Sequence, residues 1–213
     1  MSTDQSKKPL VPKQEKGAKS DTFHSVKLKT PKEAEAFFKL AKKRLLDVSN
    51  WYKLCGLGSA TFTLTDSMGN KVSRLAKQGD HLKIDIPAPG SKTGDGYDWV
   101  RVEAIENRND PLNDYEELSM RARPAKNPKD NAEETAHFFQ HEATSTFMVV
   151  REKNIVQAEI HGRNELPNVQ QETKLDTLRN AVMALGAMLG FSKFQWKKLA
   201  KGLVSQKELT KDH

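Results

Sequence analysis

Three features are scarce or missing in this sequence of 213 residues. It has one cysteine, Cys55, so no intrachain disulfide can form, which favours a reducing compartment such as the cytoplasm. No stretch approaches the roughly 20 consecutive apolar residues that a membrane-spanning helix requires. The first residues contain no apolar run, so we expect no secretory signal. The sequence therefore indicates a chain that depends on its own apolar core for stability.

The formal net charge of +7 is concentrated at the two ends of the chain. Residues 1–20 carry five lysines and two acids, and residues 192–213 carry six lysines and two acids, whereas the body between them has 24 basic and 24 acidic residues. A nucleic-acid-binding domain normally has a basic face on its body, so this distribution does not favour nucleic acid as the partner. We expect a disordered basic tail over 1–20, a single α+β domain over 21–191, and a basic C-terminal helix and tail over 192–213.

The first part of the body predicts one strand and two helices. Residues 21–29 alternate as a strand does. Thr30 and Pro31 are typical of the first two positions of a helix, and Glu33 completes a capping box. A second short helix is predicted around 48–55, ending at Gly56.

From 58 to 163 the apolar period changes to two, which predicts an antiparallel sheet with one covered face. A short return strand over 71–76 is included in this prediction, so that the sheet has about seven or eight strands. The apolar positions that share one side of their strands include Phe62, Leu64, Leu82, Ile84, Val100, Val102, Leu118, Met120 and Ala122. Trp99 alternates with Val100, so the two side chains cannot both face the core.

The C-terminal part predicts two further helices. Leucines and alanines at steps of three and four over 174–190 form a broad apolar stripe, and Gly190 is a suitable C-terminal cap. A last helix is predicted over 192–204, beginning near Ser192.

The stretch IPAPGSKTGDGYDW, residues 86–99, is dense in Pro, Gly and Asp. It lacks the Gly-Lys-Ser/Thr of a phosphate-binding loop and is followed by a strand rather than a helix. Asp95 and Asp98 alone do not supply a calcium loop. We interpret it as a long hairpin connection, with a mobile flap over a pocket as the alternative.

Other candidates for chemistry are weak. His137 and His141 have the i, i+4 spacing of zinc ligands on a helix, but no third ligand is evident, and a short helix or turn is favoured. Cys55 lies in an apolar setting without a helper histidine, which favours core packing over nucleophilic catalysis. No hydrolase triad can be argued. We expect neither a metal nor a cofactor.

The order of these elements resembles the helix-grip fold of START and birch-pollen-allergen-like proteins. The segments that carry the resemblance are FHSVKLKTPKEAEAFF as first strand and helix, SNWYKL after it, and TKLDTLRNAVMALGAMLG as the gripping helix. The resemblance implies an α+β domain in which a curved antiparallel sheet packs on a long C-terminal helix and encloses an apolar cavity. The runner-up is a small closed β-barrel flanked by helices.

The function that this resemblance implies is binding of an apolar or amphipathic, lipid-like small molecule between sheet and helix. An enzyme of the same architecture, in which His161, Arg163 and Glu165 polarise a substrate carbonyl, is the alternative from another class. A third hypothesis is an adaptor that binds nucleic acid or protein through its Lys-rich ends. The candidate ligand-binding residues are Trp51, Tyr52, Trp99, Arg121, His161, Arg163 and Met183.

Overall fold

The structure is a computed structural model and describes residues 10–86, 95–130, 134–168 and 190–207. Eleven elements follow in chain order, two of them short 3-10 helices. The strands are β1 (Ala18–Lys27), β2 (Thr61–Thr65), β3 (His81–Asp85), β4 (Asp98–Asp110), β5 (Tyr115–Pro124), β6 (Thr144–Glu152) and β7 (Ile155–Glu165). The helices are α1 (Pro31–Leu46) and α2 (Trp51–Cys55), with 3-10 turns at Val48–Asn50 and Pro111–Asn113. A further helix, α3, is described over 190–203.

The seven strands form one antiparallel sheet in the order β1-β7-β6-β5-β4-β3-β2. The first two strands of the chain are therefore the two edges of the sheet, and the helices α1 and α2 connect them across one face. A register shift between Val102 and Ala104 marks a β-bulge, which bends the sheet. The predicted α+β class with a curved antiparallel sheet is confirmed. Residues 71–76 form only a bridge at Lys71 rather than an eighth strand.

Alternation along the strands assigns the two faces of the sheet. The inner face, against the helices, carries apolar side chains such as Met120, Phe147 and Ile160, all buried. Burial of such side chains contributes roughly 1.5–3 kcal/mol each, which makes this face the main source of stability. The outer face carries Arg121, His161 and Arg163.

Helix α1 begins and packs as its sequence predicts. The Thr30 side chain accepts a hydrogen bond from the Glu33 backbone N–H at 3.2 Å, and Pro31 occupies the first turn. The apolar stripe is buried, with Phe38 and Leu45 both at most 1% exposed. The Thr30 side chain thus provides an acceptor for an N–H group of the first turn, and the apolar stripe covers the inner face of the sheet.

Trp51 joins the first helices to the sheet. Its indole N–H donates to the carbonyls of Arg44 and Leu45 at 3.1 and 3.2 Å. Its ring centroid lies 5.1 Å from that of Phe62 on β2 and 4.9 Å from that of Phe147 on β6. The side chain is fully buried, so it fills the core and also satisfies its polar atom.

Helix α3 belongs to the same core. Leu199 and Leu203 are fully buried within it. The Arg44 guanidinium of α1 donates to the carbonyls of Leu203 and Ser205 at 3.3 and 2.6 Å, and so satisfies carbonyl groups at the helix end. Gly190, predicted to end a preceding helix, is itself helical. The predicted gripping helix over 174–190 otherwise lies outside the described residues.

The N-terminal segment differs from the predicted disorder for 1–20. Residues 10–17 lie along the outer face and β1 already begins at Ala18; residues 1–9 are outside the described ranges. Leu10 is 3% exposed, and Asn164 accepts hydrogen bonds from the N–H groups of Glu15 and Lys16 at 2.8 and 3.2 Å. Distant residues of the sheet, Asn164 among them, therefore hold a segment whose own composition is too polar to order it. Among the helices wholly within the described ranges, none is long and apolar enough to span a bilayer.

The contact between α3 and α2 gives a first prediction. A Cβ at Gly202 would lie 2.7 Å from both Cβ and the carbonyl oxygen of Leu54. We expect Gly202→Ala to lower the free energy of unfolding by about 1–3 kcal/mol, because the two backbones must separate. Gly190→Ala is the matched control: no described residue lies within 4 Å of its Cβ position, so it should not lower the stability. Urea unfolding measures both, and equal effects would contradict the close packing.

Candidate functional site

The described part of the space between the sheet and α3 is a narrow groove. It consists of two adjoining cavities of about 40 Å³ each, whose shared lining is Phe62, Ile84, His137, Phe139, Ser145 and Trp196. Each cavity has room for a few water molecules at most. A drug-sized ligand fills about 300 Å³ or more, so the described groove accommodates only part of one. At its rim lie Ile86 and Phe191, close in the chain to segments 87–94 and 169–189, which the structure leaves undescribed.

Glu165 brings a carboxyl group into this otherwise apolar groove. The preceding residue, Asn164, has a left-handed φ of 57° and interrupts the alternation of β7. Glu165 therefore lies on the inner face, in the space that the missing side chain of Gly162 leaves open: a Cβ there would be 2.3 Å from Glu165 Oε1. Ser20 of β1 hydrogen-bonds the carboxyl group.

The electrostatic state of Glu165 follows from its burial. The side chain is 3% exposed, and its Oε2 atom has no hydrogen-bond partner in the described structure. Burial raises the pKa of Glu165 to about 7, against the opposing hydrogen bond from Ser20 and the charge of Arg163. Near neutral pH the group is thus divided between a neutral acid, which can donate a proton in a hydrogen bond, and a carboxylate.

His137 supplies a second polar group to the groove. Its Nδ1 accepts a hydrogen bond from the Phe139 backbone N–H at 2.9 Å. Burial lowers the pKa of His137 to about 3, so the ring is neutral and its proton is on Nε2. The ring stacks on Phe138 at a centroid distance of 4.3 Å. His137 is therefore a hydrogen-bond donor whose protonation state does not change across the physiological pH range.

His137 and His141, whose i, i+4 spacing would suit zinc ligands on a helix, do not lie on a helix. The segment that contains them is irregular, with one bridge between Phe139 and Pro167. His137 bonds a backbone N–H as above, whereas His141 lies 3.1 Å from the Pro124 carbonyl. Within the described ranges, no group of three His, Cys, Asp or Glu side chains could hold a metal ion.

Asp98 is a second buried carboxyl at the same end of the sheet. It pairs with Ile84, and it continues toward the N-terminus the alternation that puts Val100 and Val102 on the inner face. It is 2% exposed, and neither carboxyl oxygen has a partner among the described residues. Burial raises the pKa of Asp98 to about 7. Since β4 and β7 are three strands apart, Asp98 and Glu165 are separated by roughly 14 Å along the sheet.

The six sequence candidates that lie in the described part of the chain do not form one site. Trp51 is in the core between α1, α2 and the sheet, and Tyr52 is 42% exposed on the surface. Trp99 is buried on the face opposite Val100, and its indole N–H has no partner in the described part of the chain. Met183 lies outside the described residues, so its position relative to the others is not given.

The remaining three candidates, Arg121, His161 and Arg163, lie on the outer face. The Arg121 Nε donates to Glu103 at 2.8 Å. The two ring nitrogens of His161 lie 2.6 Å from Asp21 and 2.8 Å from Glu159, and Arg163 forms an ion pair with Asp21. These side chains are thus already paired with neighbouring acids of the outer face. The 161–165 cluster is therefore divided, with only Glu165 facing the groove.

Cys55 is in the core, next to α3. The Gln195 side-chain amide donates to its sulfur at 3.3 Å, and the same side chain accepts from the Ala60 backbone N–H at 3.1 Å. Burial raises the pKa of the Cys55 thiol to about 11. The thiol is therefore protonated at neutral pH and unsuited to nucleophilic attack, in keeping with the predicted packing role.

The unpartnered Asp98 gives a prediction for stability against pH. Its pKa is raised in the folded state, so the folded protein binds a proton between about pH 7 and pH 4 that the unfolded chain does not, and stability rises as pH falls through that range. We expect Asp98→Asn to stabilise the protein by up to about 4 kcal/mol near pH 8.5 and by less near pH 5.5. Denaturant unfolding at both pH values measures the difference.

The matched control is Asp85→Asn, on the exposed surface of the adjacent strand β3. Its effect should be small and equal at the two pH values. A gain from Asp98→Asn that is the same at both would mean that the buried carboxyl does not titrate in this range.

Comparison with known proteins gives likenesses of structure alone. No protein-family model matches the chain, and no curated protein matches it significantly. The chain is similar to truncated norcoclaurine synthase from Thalictrum flavum (9% identity, 92% of this chain and 100% of that one, TM-score 0.38). It is similar to the Zhui aromatase/cyclase from Streptomyces sp. R1128 (10%, 87% and 94%, TM-score 0.38). It is also similar to ginseng major latex-like protein 151 from Panax ginseng (11%, 81% and 96%, TM-score 0.32).

Proposed function

We propose that this protein binds an uncharged, largely apolar small molecule in the groove between the sheet and α3, with a hydrogen-bond acceptor of the ligand on Glu165. The observation that carries the proposal is the buried carboxyl of Glu165, whose Oε2 has no partner in the described structure while it lines an apolar groove. A buried polar atom without a partner costs about 1–3 kcal/mol. A carbonyl or ether oxygen of a ligand would recover that cost by accepting a hydrogen bond from the O–H of the neutral acid.

The lining of the groove supports an aromatic or otherwise apolar body for this ligand. Phe62, Phe139 and Trp196 provide most of the shared wall, so binding would come from apolar area. His137 and Ser145 are the other polar groups on both cavities, and they would fix its orientation. The small described volume requires that the ligand either be small or extend past Ile86 and Phe191. A lipid-like ligand belongs to the second case.

The test uses the uncharged aromatic ketone prodan, whose emission reports both polarity and hydrogen bonding of its carbonyl. We expect saturable binding that weakens about five- to ten-fold between roughly pH 6 and pH 8.5, as the hydrogen bond to the acid is lost. Because the pKa of Glu165 is raised to about 7, the donor form prevails at the lower pH.

Three variants make this test specific. Glu165→Gln keeps a donor and should bind without the pH dependence, whereas Glu165→Leu should bind at pH 6 as weakly as the wild type does at pH 8.5. Glu142→Gln, an exposed glutamate that follows His141, is the matched control and should leave the profile unchanged. Binding that is unaffected by Glu165→Leu, or no saturable binding at either pH, would contradict the proposal.

A second candidate is proton transfer in the same groove, favoured by one observation. A carboxyl group with a pKa near 7 is suited to act as a general base or acid at neutral pH. The chemical probe is 5-nitrobenzisoxazole, from which a carboxylate removes one C–H proton while the N–O bond breaks to give a cyanophenolate. The rate should rise with pH with an apparent pKa near 7 and disappear in Glu165→Gln. A rate equal to that of the buffer would exclude this candidate and leave ligand binding untouched.

The structure gives less support to one alternative function from the sequence. The enzyme hypothesis that combined His161, Arg163 and Glu165 requires groups that lie on two faces of the sheet. A location in a reducing compartment such as the cytoplasm remains our expectation, supported by the single buried thiol of Cys55.

A further inference from the structure

The outward side of α3 and the neighbouring turn after α2 form one cationic surface, here called the lysine face. It consists of five lysines, Lys53, Lys193, Lys197, Lys198 and Lys201, together with the apolar side chains of Tyr52, Leu57 and Phe194. Lys193, Lys197 and Lys201 are one helical turn apart and exposed, so they form a ridge along α3.

Direct contacts make the two parts of the lysine face continuous. The Lys198 Nζ donates to the Leu57 carbonyl at 2.8 Å and lies 4.4 Å from the Phe194 ring centroid. The Lys53 Nζ lies 5.7 Å from the ring centroid of Tyr52. Beneath them, the close approach of Gly202 to Leu54 fixes α3 against α2.

The charge of this surface is not neutralised locally. Residues 190–203 and 51–58 contain no aspartate or glutamate. Within the described ranges, none of the five lysines forms a salt bridge. Residues 21–191 have equal numbers of acids and bases, whereas residues 190–203 carry four lysines and no acid, so α3 contributes a large share of the excess positive charge of the described chain.

The apolar side chains of the lysine face are unusually exposed. Leu57 is 97% exposed, Phe194 53% and Tyr52 42%. Apolar and aromatic tips among lysines are typical of surfaces that lie at the headgroup level of a bilayer, where the tips enter the acyl boundary and the ammonium groups meet anionic lipid. A nucleic acid would use the lysines but offers no partner for an aliphatic side chain such as Leu57.

We propose that the lysine face docks this protein on an anionic phospholipid surface. The proposal goes beyond small-molecule binding and needs no ligand in the groove. The lysine face also lies close to the groove, because Gln195 and Trp196, on the opposite side of α3, line the groove. Docking would place the helix between the membrane and the groove, at a source of apolar molecules.

The test measures co-flotation of the full chain with vesicles of phosphatidylcholine, alone or with about one-third phosphatidylserine. We expect binding only to the anionic vesicles, and weaker binding at about 0.5 M than at about 0.1 M NaCl, since salt screens the lysines. The triple variant Lys193→Gln, Lys197→Gln, Lys201→Gln should reduce the affinity about ten-fold or more. The pair Leu57→Ser, Phe194→Ser should reduce it while the charge is unchanged.

The matched control removes three equally exposed lysines elsewhere, as Lys27→Gln, Lys29→Gln, Lys32→Gln. It should change the affinity less than about two-fold, because it lowers the net charge by the same amount but leaves the lysine face intact. Equal loss in the control and the lysine-face variant would overturn the proposal, as would binding that survives both lysine-face variants. Tighter binding to double-stranded DNA that depends on the same lysines but not on Leu57 and Phe194 would identify nucleic acid as the occupant instead. Thermal unfolding of every variant verifies that the fold is retained.

Discussion

The close contact between α3 and α2 is the constraint on which the rest of the described structure depends. Gly202 lies directly against Leu54, and Arg44 from α1 holds the carbonyl end of the same helix. The position of α3 then defines two surfaces at once. Its buried side is one wall of the groove, and its outward side is the ridge of the lysine face. A helix that is basic in composition is thus part of the core and of both proposed sites.

A single backbone conformation at Asn164 organises the other end of the sheet. Its left-handed φ turns Glu165 toward the groove, while its side chain receives the N-terminal segment on the outer face. Gly162 leaves the space that the Glu165 carboxyl occupies. The groove acid and the N-terminal segment are consequently fixed by adjacent residues of one strand, so a change in either acts on the same short stretch of backbone.

Much of the fold could be predicted from the sequence because the relevant signals are local. The alternation in β2 to β7 and the capping residues of α1 act within a few residues of one another, and both are observed. The alternation through Val100 and Val102, continued back by two residues, also indicates that Asp98 shares their face. The order of the segment from Leu10 could not be predicted, since it depends on Asn164, about 150 positions away. The sequence analysis placed Glu165 in a polar cluster, but no periodic pattern predicts that the strand changes face at Asn164.

The candidate site was predicted less well than the fold, for a related reason. Alternation indicates which residues share a face but not which face the helices cover. His161 and Arg163 are polar residues at the end of a buried strand, which resembles a site, yet both are paired with acids of the outer face, Asp21 and Glu159. The residues that do line the groove, such as His137 and Trp196, come from an irregular segment and from the last helix. Only the packing of those two segments on the sheet brings them together.

The buried thiol of Cys55 has a practical consequence. It is shielded by Gln195 of α3, and its raised pKa keeps it protonated, so a thiol reagent in solution reacts with it only after α3 has moved away. The alkylation rate of this cysteine therefore reports how often α3 opens away from the core, and no cysteine has to be introduced for the measurement. A ligand that holds α3 on the sheet would slow this alkylation.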